Sequence, residues 1–207
     1  MVYHWYTMPL PRFHRLPEER QREILDVARE HFARDGIVGA SYNQLIAAAG
    51  ISKTAAYQYF DGKEDLAATV LSDVSARVLG VLGTWEAAPS ARAFWEKLRQ
   101  SSARLVEHLA RTPEDLALLG AAPESGLDAT SLSWFEAMVD DGLRLGVIRS
   151  DVDRALLLGV TRAFFQAADA WALRGMRAGA PVDLTAIWSL LEGLWSPRKP
   201  RRTGATP

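Results

Sequence analysis

An all-α chain of about nine helices is the fold class this sequence predicts, and three observations carry the prediction. Residues Ser41–Leu66, SYNQLIAAAGISKTAAYQYFDGKEDL, hold two short helical patterns joined by a Gly-containing turn. Beyond Leu66 there is neither an alternating apolar–polar run of strand type nor a Gly-rich phosphate loop. Instead, Gly and Pro clusters at Ala88-Pro89-Ser90, Thr112-Pro113, Ala122–Gly126, Gly146–Ser150 and Gly179-Ala180-Pro181 cut the remainder into helix-length segments near 63–86, 90–111, 113–120, 128–145, 151–177 and 182–195.

In the first of these regions Ser41 is a good N-cap, and Leu45, Ile46 and Ala49 recur at helical spacing, so a helix is expected from about Tyr42 to Ala48. Gly50 ends it in the left-handed conformation that a tight turn needs, Ile51 plugs the angle between helices, and Ser52 caps the next helix. On that second helix Ala56 and Phe60 face inward, which leaves Lys53, Thr54, Tyr57 and Gln58 outside. Each of these four suits DNA. Lys neutralises a phosphate or reaches guanine acceptors, Gln pairs bidentately with adenine, Thr offers a hydroxyl and a methyl, and a Tyr hydroxyl fits a phosphate oxygen. A helical corner in a protein that never meets DNA has the same outline, and spacing alone leaves both readings open.

From about Arg20 to Leu71 the chain resembles the DNA-binding domain of TetR-family transcriptional repressors. Ile24, Leu25, Ala28, Phe32 and Gly36 match its first helix and turn, and Ser41, Leu45 and Ala49-Gly50-Ile51-Ser52 follow in register. Tyr57, Tyr59, Phe60, Lys63, Glu64 and Leu66 complete the match. Thr54 stands where the family has Gly or Pro, and Ala55 where it has Thr or Ser, so one hydroxyl contact is missing and the operator sequence does not carry over. The resemblance implies DNA contacts from Ser41, Tyr42, Ser52, Lys53, Thr54, Tyr57, Gln58, Tyr59 and Lys63. Lys63 follows Asp61-Gly62 at a helix start, where its charge and the backbone N–H groups could meet a phosphate together; it also reads as a solvated surface lysine. For Tyr57 and Tyr59 the alternative is partial core packing.

The net charge of −1 hides an uneven distribution. Residues 1–17 and 196–207 hold six of the 24 bases and none of the 25 acids, so the body between them carries about −7. The leading arm, PLPRFHRLPEE, either lays Arg12 and Arg15 on or into a minor groove or is a disordered leader, with Met8 as a second candidate start. The trailing SPRKPRRTGATP is Pro-rich, charged and expected to be disordered. Domain boundaries are therefore expected at 1–17 for the arm, 18–66 for the DNA-binding domain, 67–195 for a helical regulatory and dimerisation domain, and 196–207 for the basic tail. With no Cys there is no disulfide framework and no thiolate metal site. No signal-peptide pattern or membrane-length apolar run is present, so the expected location is cytoplasmic.

Two helices near the end carry more apolar surface than one contact face requires. Leu157, Val160, Phe164 and Ala168 on the first, with Leu184, Ile187, Trp188, Leu191 and Trp195 on the second, are the candidates for a homodimer interface, although part of these faces must pack within the chain. A two-fold dimer doubles the bases read on a palindrome. Phe94, Trp95, Leu98, Trp134, Phe135, Met138, Phe165 and Trp171 come from several helices and could enclose a flat apolar ligand, oriented by Ser102 or Asp169. Ordinary core packing is the competing explanation, and the resemblance is what favours a ligand.

Catalytic chemistry is thin. His4, His14, His31 and His108 are scattered, there is no His-Glu-x-x-His or Gly-x-Ser-x-Gly pattern, and Asp140-Asp141 and Glu114-Asp115 are helix neighbours that diverge by about 100°. The expectation is a ligand-responsive, non-enzymatic transcriptional regulator without metal or cofactor. It would bind a palindromic double-stranded operator as a homodimer, as a repressor released by a small apolar or aromatic effector. The alternative is a helix-turn-helix protein controlled by a protein partner, with no small-molecule pocket.

Overall fold

The computed structural model describes residues 9–119 and 129–196, with side chains from residue 133 onward in the second stretch. A 3₁₀ turn at Phe13–Arg15 precedes nine α-helices among the described residues: α1 Glu18–Gly39, α2 Tyr42–Ala48, α3 Lys53–Tyr59, α4 Lys63–Leu82, α5 Ala91–Arg111, α6 Pro113–Leu119, α7 Ala129–Arg144, α8 Arg154–Arg177 and α9 Thr185–Trp195. No strand occurs among them, and no described helix is long and apolar enough to cross a membrane. The expected break at Ala122–Gly126 and the basic C-terminal tail lie outside the described residues.

Two compact units emerge, and they are not divided at Leu66. The N-terminal unit runs through Val81 and takes back the chain from Leu105 onward through α6; the C-terminal unit comprises Leu82–Arg104 and the rest. The physical reason is burial. Ile24, Ala28 and Phe32 sit one turn apart on α1 and form a core with Leu45, Ile46, Phe60 and Leu66, which Val70 and Val74 of α4 and Leu118 of α6 complete. A polar cluster reinforces α6. Asp115, fully buried, accepts from Arg29 Nη1 at 3.2 Å and Arg77 Nη2 at 3.3 Å, and its other oxygen is 3.2 Å from His108 Nε2. Arg29 also pairs with Asp26 at 3.0 Å, and Arg77 with Asp73 at 3.1 Å.

The C-terminal unit closes around Phe94, Leu98, Met138, Ile148, Leu157, Leu191 and Trp195. Gly142 is required here by close approach: a Cβ at this position would stand 2.5 Å from the Ile148 side chain. Its carbonyl accepts from Val147 and Ile148, folding the α7 terminus back on the core. Trp195 Nε1 donates to Thr161 Oγ1 at 3.1 Å, so the indole is buried with its polar atom satisfied.

Asp141 is the polar pivot of this unit. Its Oδ2 accepts from the Ala88 N–H at 2.8 Å and Trp85 Nε1 at 3.1 Å, while Oδ1 takes Arg144. Burial alone pushes this carboxyl up, but the Ala88 N–H, Arg144 and Trp85 together outweigh it and hold its pKa below the ordinary value. A depressed carboxyl contributes stability above its unfolded pKa and loses it as pH falls through the folded one. Asp141→Asn is expected to cost about 1–3 kcal/mol at neutral pH by leaving donors unpaired. Thermal melts should show the gap from wild type narrowing below about pH 4, where the wild-type carboxyl protonates too.

Candidate nucleic-acid interface

The interface is built on two helices of seven residues, each too short to be stable alone. Their turn is locked by Gly50 N donating to Ala47 O and Ile51 N to Ile46 O, both at 3.0 Å, with Gly50 at φ +63°. Ser52 caps α3, its Oγ accepting from Ala55 N at 3.1 Å. Ser41 occupies the corresponding position before α2 but its hydroxyl makes no capping bond, contrary to expectation; the side chain is left exposed. A clamp not foreseen from sequence comes from α1: Arg20 Nη2 donates to the carbonyls of Ala49 at 2.8 Å and Gly50 at 3.2 Å. A cation beside a helix N-terminus, where acids are electrostatically preferred, gives little sequence signal.

On α3, Ala56 and the following Phe60 are wholly buried, and Lys53, Thr54, Tyr57 and Gln58 are all exposed, Tyr57 to 53%. Four side chains with donors, acceptors and one positive charge therefore share one outward surface. Tyr42 lies beside it, its ring 5.8 Å from Tyr57 in an edge arrangement. Its hydroxyl, however, is enclosed without a partner, and burial, with Tyr57 and Asp65 nearby, pushes its pKa to about 12. Tyr42 thus supports Tyr57 through its ring, and its enclosed hydroxyl is withheld from the surface. Tyr59 turns inward, packing on Phe13 at 6.3 Å.

Lys63 departs furthest from the phosphate-facing role the resemblance implies. Its Nζ donates to Val38 O at 2.9 Å and Ala40 O at 3.2 Å, holding the carbonyls at the end of α1. One of its three N–H donors remains for an outside partner. The turn after α3 closes differently, with Asp61 N donating to the buried Asp65 Oδ2 at 2.9 Å.

The described part of the leading arm, from residue 9, packs on the helix-turn-helix. Phe13 is buried against Phe60, ring centroids 4.8 Å apart, and Leu10 N donates to Tyr59 O at 2.9 Å. Arg12, His14 and Arg15 are left exposed.

In the C-terminal unit the aromatic candidates do converge. Ring contacts of 5.4 Å link Trp85 to Trp134, Trp134 to Phe135 and Phe135 to Phe165, and Trp195 joins Trp95 at 5.5 Å and Phe94 at 6.0 Å. Phe94, Leu98 and Met138 are sealed in the core, Ser102 is half-buried, and Trp171 is exposed on α8, with no ring contact to this cluster. Asp169 is exposed on α8. A recess of about 190 Å³ between α7 and α8 is lined by Phe135, Glu136, Ala155, Leu158, Gly159 and Arg162.

The interface candidates divide. Leu157, Leu191 and Trp195, expected at a dimer interface, instead belong to the chain's own core. Phe164, Ala168, Leu184, Ile187 and Trp188 are half-buried. What remains outward is Leu156 (59% exposed), Val160, Ala167 and Trp171 on one side of α8, and Leu190 (66%) on α9, the latter unforeseen.

Residues 24–70 match the family model of bacterial regulatory proteins, tetR family, a span that contains α2, α3 and the start of α4. The HTH-type transcriptional regulator SrpR of Pseudomonas putida is 24% identical, with 75% of this chain and 85% of that protein aligned. Among solved structures, a TetR-family transcriptional regulator from Pectobacterium atrosepticum superposes with a TM-score of 0.59 at 23% identity, covering 87% of this chain and 98% of that one. Regulatory protein TetR from Rhodobacter sphaeroides gives 0.56 at 17%, over 84% and 97%. At these identities the structural likenesses establish the fold.

The Lys63 geometry yields a prediction. Lys63→Ala should lower stability by about 1 kcal/mol by freeing two α1 carbonyls, whereas Tyr57→Phe should leave it unchanged. Paired urea titrations measure both, and equal midpoints for the two variants would remove the clamp role.

Proposed function

We propose that this chain, which resembles the TetR family of transcriptional regulators over residues 24–70, binds a palindromic operator as a homodimer and represses until a small apolar or aromatic effector releases it. The observation that carries the DNA half of this reading is the outward surface of α3, where Lys53, Thr54, Tyr57 and Gln58 stand together on a helix whose other face is core. A helix of this kind fits a major groove, with Lys and Gln reading base edges and Tyr57 seated on the backbone. Ser41 and Ser52 flank it with hydroxyls for phosphate.

Dimerisation is supported by the outward stripe. Leu156, Val160, Ala167 and Trp171 fall at helical intervals on α8, and Leu190 is a further exposed apolar side chain on α9. An exposed apolar stripe is the usual material of a self-complementary two-fold interface.

The effector is proposed to act on the linked aromatic rings of the C-terminal unit, where Trp95, Trp134, Phe135 and Phe165 are only half-buried. Release then follows as a population shift, in which the ligand prefers a state whose reading helices no longer match the operator spacing. Control by a protein partner is the second reading. The tight packing of Phe94, Leu98 and Met138 favours it, since a ligand entering there would have to displace core. Titrating operator complexes with a panel of aromatic and aliphatic compounds separates the two: release by at least one compound supports the effector, and no release by any supports the partner.

Two outcomes test the DNA and dimer readings. In a selection from randomised duplexes, Lys53→Ala and Gln58→Ala should each relax preference at particular base pairs, at about 1–3 kcal/mol per lost bidentate contact. Identical preferences for wild type and both variants would reject α3 as the reading helix. In light scattering, Leu156→Asp combined with Leu190→Asp should weaken the dimer by roughly 30-fold, the ~2 kcal/mol of a hot spot, without loss of helicity. A wild type that scatters as a monomer at high concentration would defeat the palindromic model.

A further inference from the structure

Among the described residues of the N-terminal unit, the reading helix carries a single cation, Lys53, and Lys63 next to it is engaged with the carbonyls of Val38 and Ala40. Affinity for duplex DNA comes largely from neutralised phosphates, so one lysine per protomer on a chain of net charge −1 is a meagre supply. The structure offers more cations at one place. Phe13 packs on Phe60 and Tyr59, and Leu10 N bonds the carbonyl of Tyr59, the last residue of α3. A 3₁₀ turn has three residues per turn, so with Phe13 inward its neighbours are directed away from the core. Arg12 and Arg15 are accordingly exposed, neither makes an ion pair or side-chain hydrogen bond among the described residues, and no acid occurs between residue 9 and Glu18. Glu18 and Glu19 follow in the first turn of α1, where the helix N-terminus favours them.

We propose that this arm is a second DNA-contacting element. Phe13 bolts it to the C-terminal end of the reading helix, and Arg12 and Arg15 engage backbone phosphates flanking the groove that α3 enters. The proposal rests on the DNA-binding reading above and extends it to residues outside the helix-turn-helix. Such contacts strengthen binding to every sequence alike and carry no base preference. Anchoring also matters, because an arm held in place beforehand does not lose conformational freedom on binding.

The test uses the full chain and a mixed-sequence duplex of about 30 base pairs, with affinity followed by fluorescence anisotropy over a NaCl series. Arg12→Ala with Arg15→Ala should reduce the steepness of log K against log salt by about two units per bound protomer, at unchanged melting temperature, and Arg12→Lys with Arg15→Lys should restore it. An unchanged slope in the alanine variant, with wild type binding normally, overturns the arm and leaves the α3 reading standing. Failure of wild type to bind any duplex overturns the DNA-binding reading itself, and the arm with it. Phe13→Ala keeps both charges but frees the arm, and roughly tenfold weaker binding is expected; affinity equal to wild type would overturn the anchoring. Should that variant fail to fold, the arginine series decides alone.

Discussion

Everything the N-terminal unit presents to the outside depends on docking two helices that cannot exist unaided. Seven residues form fewer than two complete turns beyond nucleation, so α2 and α3 hold their shape only through what they bury: Leu45 and Ile46 on one side, Ala56 and Phe60 on the other. Side-chain donors then fix the joints. Arg20 grips the carbonyls at the turn between the helices and Lys63 grips those where α1 ends, so backbone acceptors that helices leave unpaired at their C-termini are satisfied from neighbouring elements. The outward face of α3 inherits its rigidity from this scaffold.

The same unit contains a second kind of bond. Asp115 is a fully buried carboxylate whose oxygens are shared among Arg29 of α1, Arg77 of α4 and His108 near the end of α5. Burying charge is costly, and such an arrangement holds only when every member is in place. It is directional where the Leu118 contact is not, so it fixes the register of α6 on α1 and α4 in a way that apolar packing alone leaves loose. The segment from Leu105 through α6 thereby belongs to the compact body of the helix-turn-helix, even though it is separated in sequence by α4 and most of α5.

How much of this was legible in the chain varied with the kind of information required. Helix periodicity, the Ser52 cap and the Gly50 turn are local, and they led to α2, α3 and the outward Lys53–Gln58 face within a residue or so. Burial by a distant partner was not legible. Leu157, Leu191 and Trp195 read as surplus apolar surface because a one-dimensional pattern counts greasy positions without saying which neighbour covers them; the fold covers these three from within and leaves Leu156 and Leu190 outside. Phe13 was missed for a related reason: a lone aromatic in a Pro- and Arg-rich stretch has no periodicity to mark it as core. Analogy puts Lys63 and Tyr42 on the DNA side, but Lys63 Nζ is held by the carbonyls at the end of α1 and the Tyr42 hydroxyl is enclosed, and no local spacing encodes either.

The placement of tryptophan has a spectroscopic consequence. Trp85, Trp95, Trp134, Trp171, Trp188 and Trp195 all lie in the C-terminal unit, and the described part of the N-terminal unit contains tyrosines but no tryptophan. Emission excited at the red edge of the absorption band, once Trp5 is replaced by Phe, arises from one half of the molecule. Trp85 lies 5.4 Å from Trp134 and Trp95 5.5 Å from Trp195, close enough for excitation to migrate within each pair, whereas Trp171 emits from a solvent-exposed site. The chain thus carries its own optical label on the unit proposed to sense the effector, while the helices proposed to face DNA stay dark.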